Sequence, residues 1–167
     1  MKEITFQEFL NEYNFANFHD DWGIAVVRDN MKVNGLTISW GSLGFLWNKP
    51  TFTLYVHESR YSKHLLDRED SYSINILDRP KYQKELDIFG SKSGKDVDKV
   101  KESGLTLEED LSPYFKESKY VLICKKVGQT KFDESSINPP ESIKMWYKKS
   151  GVHTMYFGEI IRILKNE

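Results

Sequence analysis

The chain has 167 residues, and its 24 lysines and arginines nearly balance its 25 aspartates and glutamates. This length suits one domain with a sizeable core, and the charge balance gives no whole-chain case for binding nucleic acid or an anionic membrane. A single cysteine excludes an internal disulfide and a multi-thiolate metal site. Neither a signal segment nor an apolar run of membrane-spanning length is present. We therefore expect one cytoplasmic domain over residues 1–167 that holds no metal and contacts neither nucleic acid nor membrane.

The first half of the chain predicts a helix followed by strands. Thr5 and Glu8 have the spacing of a capping box, and aromatic residues recur after them at helical intervals, so residues 1–20 should hold a helix packed on the rest of the domain. Residues 40–50 are predicted as a glycine-punctuated loop. The predicted strands cover residues 23–28, 32–39, 51–56 and 71–77, with a tight turn at Asp29-Asn30.

The second half predicts helices that interrupt further strands. The predicted helices cover residues 60–68, capped by Ser59, residues 81–89, closed by Gly90, and a segment that opens at Ser93 and ends at Gly104. Strands are predicted at residues 120–126, which bury Cys124 as a packed thiol, and at residues 153–164, where Gly158 marks a bulge or a close approach. The polar segment 129–144, with Pro139-Pro140, is predicted as a surface loop that covers a partner. Because the repeated βαβ spacing of a parallel sheet is missing, the expected fold class is mainly β, an antiparallel barrel with inserted helices.

Two segments have the residue types of an anion site. Residues 90–96 form a glycine-flanked turn in which Ser91, Lys92 and Ser93 offer hydroxyl groups and positive charge beside backbone N–H groups. The spacing differs from a Walker A loop, and an ordinary capped helix start explains the segment equally well. In the second segment, Arg60 could hold a phosphate with two hydrogen bonds and Ser62 could add a hydroxyl. The alternative there is a serine cap followed by a surface arginine.

Two further segments suggest a binding site for a flat ring. Thr37, Ile38, Ser39 and Trp40 end a predicted strand just before Gly41, so a planar heterocycle could lie against the backbone there. A plain core aromatic is the competing interpretation of Trp40. His153 opens the final strand and could position a cofactor. No histidine pair with metal-ligand spacing accompanies it.

These motifs together resemble the flavin reductase-like proteins of the FMN-binding split-barrel fold, a family that includes flavoredoxins. The resemblance runs through residues 34–41, 59–62, 90–99 and 153–160. It implies a homodimer of six-stranded Greek-key barrels that bind FMN without a covalent bond near the dimer interface. By this analogy Thr37 to Trp40 face the flavin ring and ribityl chain, His153 approaches from the last strand, and the phosphate is surrounded by Arg60, Ser62, Ser91 and Lys92 or Ser93. Where relatives often carry Arg-Pro, this chain has His57-Glu58, and Ser62 replaces a commoner threonine.

The resulting hypothesis is an FMN-binding oxidoreductase in which the flavin does the chemistry and no side chain need act as acid or base. Its electrons come either from NAD(P)H, as in a flavin reductase, or from a protein donor, as in a flavoredoxin-like carrier. The alternative from another class is a non-redox module that binds or senses flavin or another phosphorylated ligand. A split-barrel oxidase acting on pyridoxal-type phosphates is a more distant interpretation.

Overall fold

The computed structural model describes residues 1–29, 32–138, 141–147 and 151–167. Its helices are α1 (Phe6–Glu12), α2 (Phe18–Asp21), α3 (Tyr61–Arg68), α4 (Arg79–Ser91), α5 (Lys99–Ser103) and α6 (Glu141–Trp146), with 3-10 turns at Phe15–Asn17 and Glu134–Ser136. Its strands are β1 (Lys2–Ile4), β2 (Gly23–Asp29), β3 (Lys32–Ile38), β4 (Gly41–Leu46), β5 (Lys49–His57), β6 (Ser71–Ile76), β7 (Leu107–Glu108), β8 (Tyr114–Phe115), β9 (Tyr120–Lys131) and β10 (His153–Lys165). No helix in these described parts of the chain combines the length and apolar composition needed to cross a membrane.

The main sheet has eight strands in the order β3-β2-β6-β9-β10-β5-β4, with β1 also paired to β10. Every pairing is antiparallel. The prediction of a mainly β, antiparallel fold with peripheral helices is therefore confirmed. The sheet has two strands more than the six that the resemblance implies.

One core holds the sheet in a curled shape. Apolar side chains of β3, at one end of the strand order, share a buried cluster with those of β5, near the other end, so the sheet wraps around them. Strand β2 is apolar along most of its length because it is buried on both sides. Its Ala25 and Val27 enter this core, while Ile24 and Val26 pack outward against the cluster that includes Leu86 of α4. Helix α4 is thereby fixed on the outer side of the sheet.

The predicted N-terminal helix is present with its capping box. The hydroxyl of Thr5 accepts a hydrogen bond from Glu8 N at 3.1 Å, and the Glu8 carboxylate accepts one from Thr5 N at 2.6 Å. Phe9 of this helix is completely buried in the main core. The N-terminal residues are thus part of the same packed unit.

The loop predicted at residues 40–50 was wrong, because residues 41–46 form β4 and pair along β5. The connecting turn is built from Trp47 and Asn48, both with positive φ, at 52° and 60°. Paired left-handed residues twist a two-residue hairpin in the hand of the flanking strands. Asn suits that conformation and Trp does not, so the Trp47-Asn48 pair lacks the usual composition of a two-residue hairpin turn. For the other predicted turn, Asn30 lies outside the described residues.

The predictions at residues 90–104 were also partly wrong. Helix α4 does not close at Gly90 but continues to Ser91, and Ser93 does not open a helix. Residues 94–96 form a turn, and α5 begins only at Lys99, because Asp98 supplies the cap by accepting from Lys101 N at 3.1 Å. The predicted end at Gly104, with φ of 71°, is confirmed.

The last strands match the prediction and extend it. Strand β9 runs on to Lys131 because it pairs along β10, so the first residues of the predicted surface loop are strand. The rest of that segment contains a 3-10 turn and α6, while Pro139-Pro140 lies outside the described residues. Gly158 is a site of close approach, since a Cβ there would lie 2.3 Å from the Tyr72 hydroxyl and 2.8 Å from Cys124 Cβ. The register also shifts there, between Phe157 and Gly158.

Candidate functional site

Every residue that the sequence predicts for the binding site lines one of two adjoining cavities. The larger, of about 540 Å³, is lined by Thr37, Ile38, Ser39, Trp40, Arg60 and His153. The smaller, of about 100 Å³, is lined by Arg60, Ser62, Ser91, Lys92 and Ser93. Leu36, Ser59 and Arg60 line both. The structure thus places these side chains along one cleft, while their binding roles stay predictions.

Arg60 joins the two cavities because it stands where two helices meet. It is the N-cap residue of α3, and its guanidinium donates to Gly90 O, in the last turn of α4, at 3.0 Å. The cap predicted at Ser59 was wrong, because the Ser59 hydroxyl is 2.8 Å from His57 Nδ1 instead. Thr37 makes a second link to α4 by donating to Leu86 O at 2.5 Å.

The larger cavity has an aromatic end. The Trp40 ring, 37% exposed, meets Trp146 edge-on with centroids 4.8 Å apart, and lies 5.4 Å from the His153 ring. Trp146 is the last residue of α6 and lines this cleft, two residues beyond the segment 129–144 whose contact with a partner stays a prediction. Trp146 was missed by the sequence reasoning. The signal for it was the Trp146-Tyr147 pair that ends an otherwise polar segment.

Two histidines face each other across neighbouring strands at this end. His153 of β10 is paired with His57 of β5, and their ring centroids are 5.2 Å apart. His57 Nδ1 accepts from Ser59 N at 3.1 Å, and its Nε2 lies 3.1 Å from Gly151 O. Because an amide N–H can only donate and a carbonyl can only accept, the hydrogen of His57 sits on Nε2.

His153 is an uncharged imidazole at neutral pH. Burial, together with the positive charge that His57 and Arg60 can carry, lowers the pKa of His153 to about 4. Its Nδ1 is 2.9 Å from the Tyr147 hydroxyl, which fixes the ring orientation. The cleft therefore has a polar but neutral group beside its aromatic surfaces.

The smaller cavity is strongly cationic. Lys99, which the sequence reasoning did not nominate, lines it and is only 4% exposed. Burial, and then the charges of Arg60 and Lys32, lower the pKa of Lys99 to about 8. No Asp or Glu lines this cavity, and none of the ion pairs in the described parts of the chain involves Lys32, Arg60 or Lys99. A concentration of positive charge without a counterion is suited to an anion.

The predicted anion residues differ in how free they are to bind. Lys92 is paired with the Glu102 carboxylate, and the Ser91 hydroxyl donates to Asp87 O at 2.7 Å. The Ser93 hydroxyl accepts from Lys95 N at 3.2 Å, which leaves its hydrogen available.

Ser62 is oriented from behind by another buried side chain. Asn34, 1% exposed, donates from Nδ2 to the Ser62 hydroxyl oxygen at 2.7 Å. Because Ser62 accepts that bond, its own hydrogen is free to donate into the cavity. Asn34 is thus a positioning residue for the cationic end.

The fold and the cleft together define a class of protein, an antiparallel β domain with a site for a flat ring at one end and an anion at the other. Comparison with protein families identifies the family within this class. Residues 21–167 match the model of the flavin reductase like domain, so the chain belongs to that family. Family membership supports flavin binding and a redox-related function.

Solved structures agree with this assignment at the level of the fold. Flavoredoxin from Methanosarcina acetivorans has a TM-score of 0.69 and 24% identity, covering 88% of this chain and 69% of that one. An FMN-binding protein from Thermus thermophilus, solved with bound p-hydroxybenzaldehyde, has a TM-score of 0.68 and 16% identity, covering 87% of this chain and 71% of that one. The NADH:FAD oxidoreductase SgcE6 of Streptomyces globisporus C-1027 has a TM-score of 0.65 and 15% identity, covering 87% of this chain and 75% of that one. A search of the curated proteins finds no match.

The residues present fit a flavin mononucleotide. The larger cavity, at about 540 Å³, lies within the range of roughly 300–1,000 Å³ that is usual for cofactor sites. Trp40 and Trp146 offer aromatic surface to a ring, and the buried, uncompensated Lys99 marks the end suited to the phosphate.

Proposed function

We propose that this domain binds FMN in the cleft and passes electrons through it, as a flavin reductase or as a flavoredoxin-like carrier. The observation that carries the proposal is the junction at Arg60, where an aromatic cavity adjoins a cationic one and no described residue lining either cavity is a carboxylate. When bound, the flavin supplies the redox chemistry by accepting and releasing a hydride or electrons. The protein contributes binding, orientation and the local electric field.

Each end of the cleft has a separate task in this proposal. At the cationic end Arg60, Ser62, Ser93 and Lys99 hold the phosphate, with Ser91 and Lys92, which are already bonded within the chain, at its edge. At the other end the strand segment Thr37 to Trp40 lies along the ring and the ribityl chain. The neutral His153 offers a hydrogen-bonding edge without adding charge beside the ring.

The source of the electrons is the finer part of the proposal. Glu58 is paired with Lys131 and does not line the cleft, whereas His57 does. His57-Glu58 therefore offers no fixed positive charge to the phosphates of NAD(P)H, which favours a protein donor or a weakly held dinucleotide. Anaerobic mixing of the FMN-loaded protein with NADH and NADPH separates the two. Direct bleaching of the flavin absorbance identifies a reductase, and its absence identifies a carrier.

Flavin binding itself has a simple test. The protein purified with FMN should be yellow, and titration of the flavin-free protein should quench flavin fluorescence at one FMN per chain. The Arg68→Ala variant is a matched control for Arg60→Ala, because Arg68 on α3 is exposed and pairs with Asp29 away from the cleft. It should bind FMN like the wild type. Protein that ignores FMN overturns the proposal.

A non-redox flavin-binding module is the second candidate. It is favoured by the position of Trp146, which stands edge-on to Trp40 at the aromatic end and narrows the room for a second ligand. If bound FMN stays oxidised with every physiological donor in both the wild type and Trp146→Ala, this candidate replaces the first. Reduction that appears in Trp146→Ala alone would identify the tryptophan as the barrier.

We also propose that the working unit is a homodimer. Met145 and Trp146, at the end of α6, are 61% and 56% exposed, and Trp146 meets the partly exposed Trp40 edge-on. A second copy that covered this rim would remove apolar surface from water next to the flavin. Light scattering of the FMN-loaded protein tests it, and a monomer at micromolar concentration contradicts it.

A further inference from the structure

Tyr147 packs against both histidines at the aromatic end of the cleft. Its ring lies nearly parallel to the His57 ring, at 17° with centroids 6.0 Å apart, and its centroid is 5.5 Å from that of His153. Its hydroxyl is 2.9 Å from His153 Nδ1. Tyr147 is not among the described residues that line either cavity. It therefore contacts a group that faces the cleft while standing outside the cleft itself.

The hydrogen bond between Tyr147 and His153 has a definite direction. Burial raises the pKa of Tyr147, and the backbone N–H of His153, which acts as a donor on the same hydroxyl oxygen, partly offsets that rise. In the described part of the chain, Nδ1 of His153 is the one acceptor within hydrogen-bond distance of the hydroxyl hydrogen. Tyr147 thus donates to Nδ1. Because His153 is neutral, its single ring hydrogen sits on Nε2.

The second ring nitrogen of His153 is open to a ligand. His153 lines the larger cavity, and its Nε2 has no hydrogen-bond partner among the described residues. The rings of Trp40 and His57 pack against it, with centroids 5.4 and 5.2 Å away, and limit how far the imidazole can turn. With the hydrogen on Nε2, a ligand in the cleft meets a donor rather than an acceptor.

We propose that Tyr147 is a positioning residue that holds the ring hydrogen of His153 on Nε2, so that this histidine donates to the flavin ring and favours its reduced form. The inference rests on the proposed function and adds to it a residue and a preference between two redox states. A reduced flavin ring carries two more electrons than an oxidised one, and a donor already aimed at the growing negative charge stabilises it. Without the hydroxyl of Tyr147, the neutral imidazole exchanges its hydrogen between both nitrogens, and an unprotonated Nε2 opposes that charge.

NMR of the flavin-free protein labelled with nitrogen-15 histidine tests the tautomer directly at pH 7, with His153→Gln used to assign the signals. In the wild type the hydrogen of His153 should be on Nε2. Tyr147→Phe keeps the ring that packs on His57 and removes only the hydroxyl, so the fraction of His153 with its hydrogen on Nδ1 should rise. Tyr120→Phe is the matched control, because it removes a hydroxyl that donates to Glu12 at 3.2 Å, away from both cavities. It should leave the His153 signals unchanged.

The preference for reduced flavin is measured separately. The midpoint potential of bound FMN, compared with that of FMN in solution, gives the ratio of its affinities in the reduced and oxidised forms. In Tyr147→Phe this ratio should fall by about 2- to 12-fold, the usual worth of one neutral hydrogen bond. In a His153→Gln background, Tyr147→Phe should cause no further fall, because Tyr147 acts through His153. Tyr120→Phe should keep the ratio of the wild type.

The outcomes separate the two proposals. Wild-type protein that does not bind FMN overturns the proposed function, and with it the preference for reduced flavin. Wild-type protein that binds FMN but carries the His153 hydrogen on Nδ1 overturns the role of Tyr147 alone. The same conclusion follows if Tyr147→Phe leaves the affinity ratio unchanged, or lowers it equally in the His153→Gln background. If Tyr147→Phe does not fold, the tautomer of the wild type decides.

Discussion

The substitution Gly94→Ala should disturb the cationic cavity from behind. A Cβ at Gly94 would lie 2.2 Å from Asn34 Oδ1 and 2.6 Å from Asn34 Cγ. The φ of Gly94 is not positive, so the backbone accepts alanine and the contact with Asn34 is the main effect. Asn34 is almost fully buried, has little room to move, and donates the bond that orients Ser62.

The magnitude follows from two costs. Inserting a methyl group into a well-packed site costs about 1–3 kcal/mol, and leaving a buried hydrogen-bonding group unpaired costs about 1–3 kcal/mol. If Asn34 shifts to relieve the crowding, it loses its hydrogen bond to Ser62, so the two costs partly replace each other. We therefore expect a loss of about 2–4 kcal/mol in the free energy of unfolding. FMN should bind about tenfold more weakly, since Ser62 loses its orientation.

Urea unfolding of the flavin-free protein measures the first effect and fluorescence titration the second. Gly44→Ala is the matched control, because no atom lies within 4 Å of a Cβ built there. Because nothing is displaced, that change should stay within about 0.5 kcal/mol of the wild type. Equal stability of the two variants would refute the close packing of Gly94 on Asn34.

Three other predictions concern Arg60, His153 and Cys124. Arg60→Ala should weaken FMN by about 1.5–3 kcal/mol, the usual worth of a hydrogen bond to a charged group, and unchanged affinity in a fluorescence titration would remove Arg60 from the site. The pKa of His153 is lowered from 6.5 in the unfolded chain to about 4 in the folded one. On acidification the unfolded chain is therefore protonated at a higher pH than the folded chain, and the stability of the flavin-free protein should fall from pH 6.5 towards pH 4. Urea midpoints should fall less steeply for His153→Gln over that range, and identical slopes would contradict the shift. Burial raises the pKa of the Cys124 thiol well above its ordinary value, so a thiol reagent should react only after unfolding, and rapid reaction of the native protein would place this thiol at the surface.

Much of the fold could be predicted because its signals are local. The capping box at Thr5 and Glu8 depends on residues three apart, and alternating β-branched residues mark strands wherever they pair. Strand β4 was not predicted, because its glycines and aromatic residues are equally typical of a loop. It becomes a strand only through its pairing with β5. Likewise, Ser93 has the composition of a helix cap, but Asp98 makes the cap bond.

By itself the sequence determined the residue types of each nominated motif, and the resemblance of these motifs to the flavin reductase-like family implied that they would meet in one site. Only the tertiary structure decided their electrostatic state and their neighbours. Lys99 looks like a surface lysine in sequence, yet packing buries it beside Arg60, and none of the ion pairs among the described residues involves it. Trp146 lies far along the chain from Trp40, and only the folded chain brings the two rings together. Charge, burial and distance between remote residues arise when elements pack, so the amino-acid order alone does not express them.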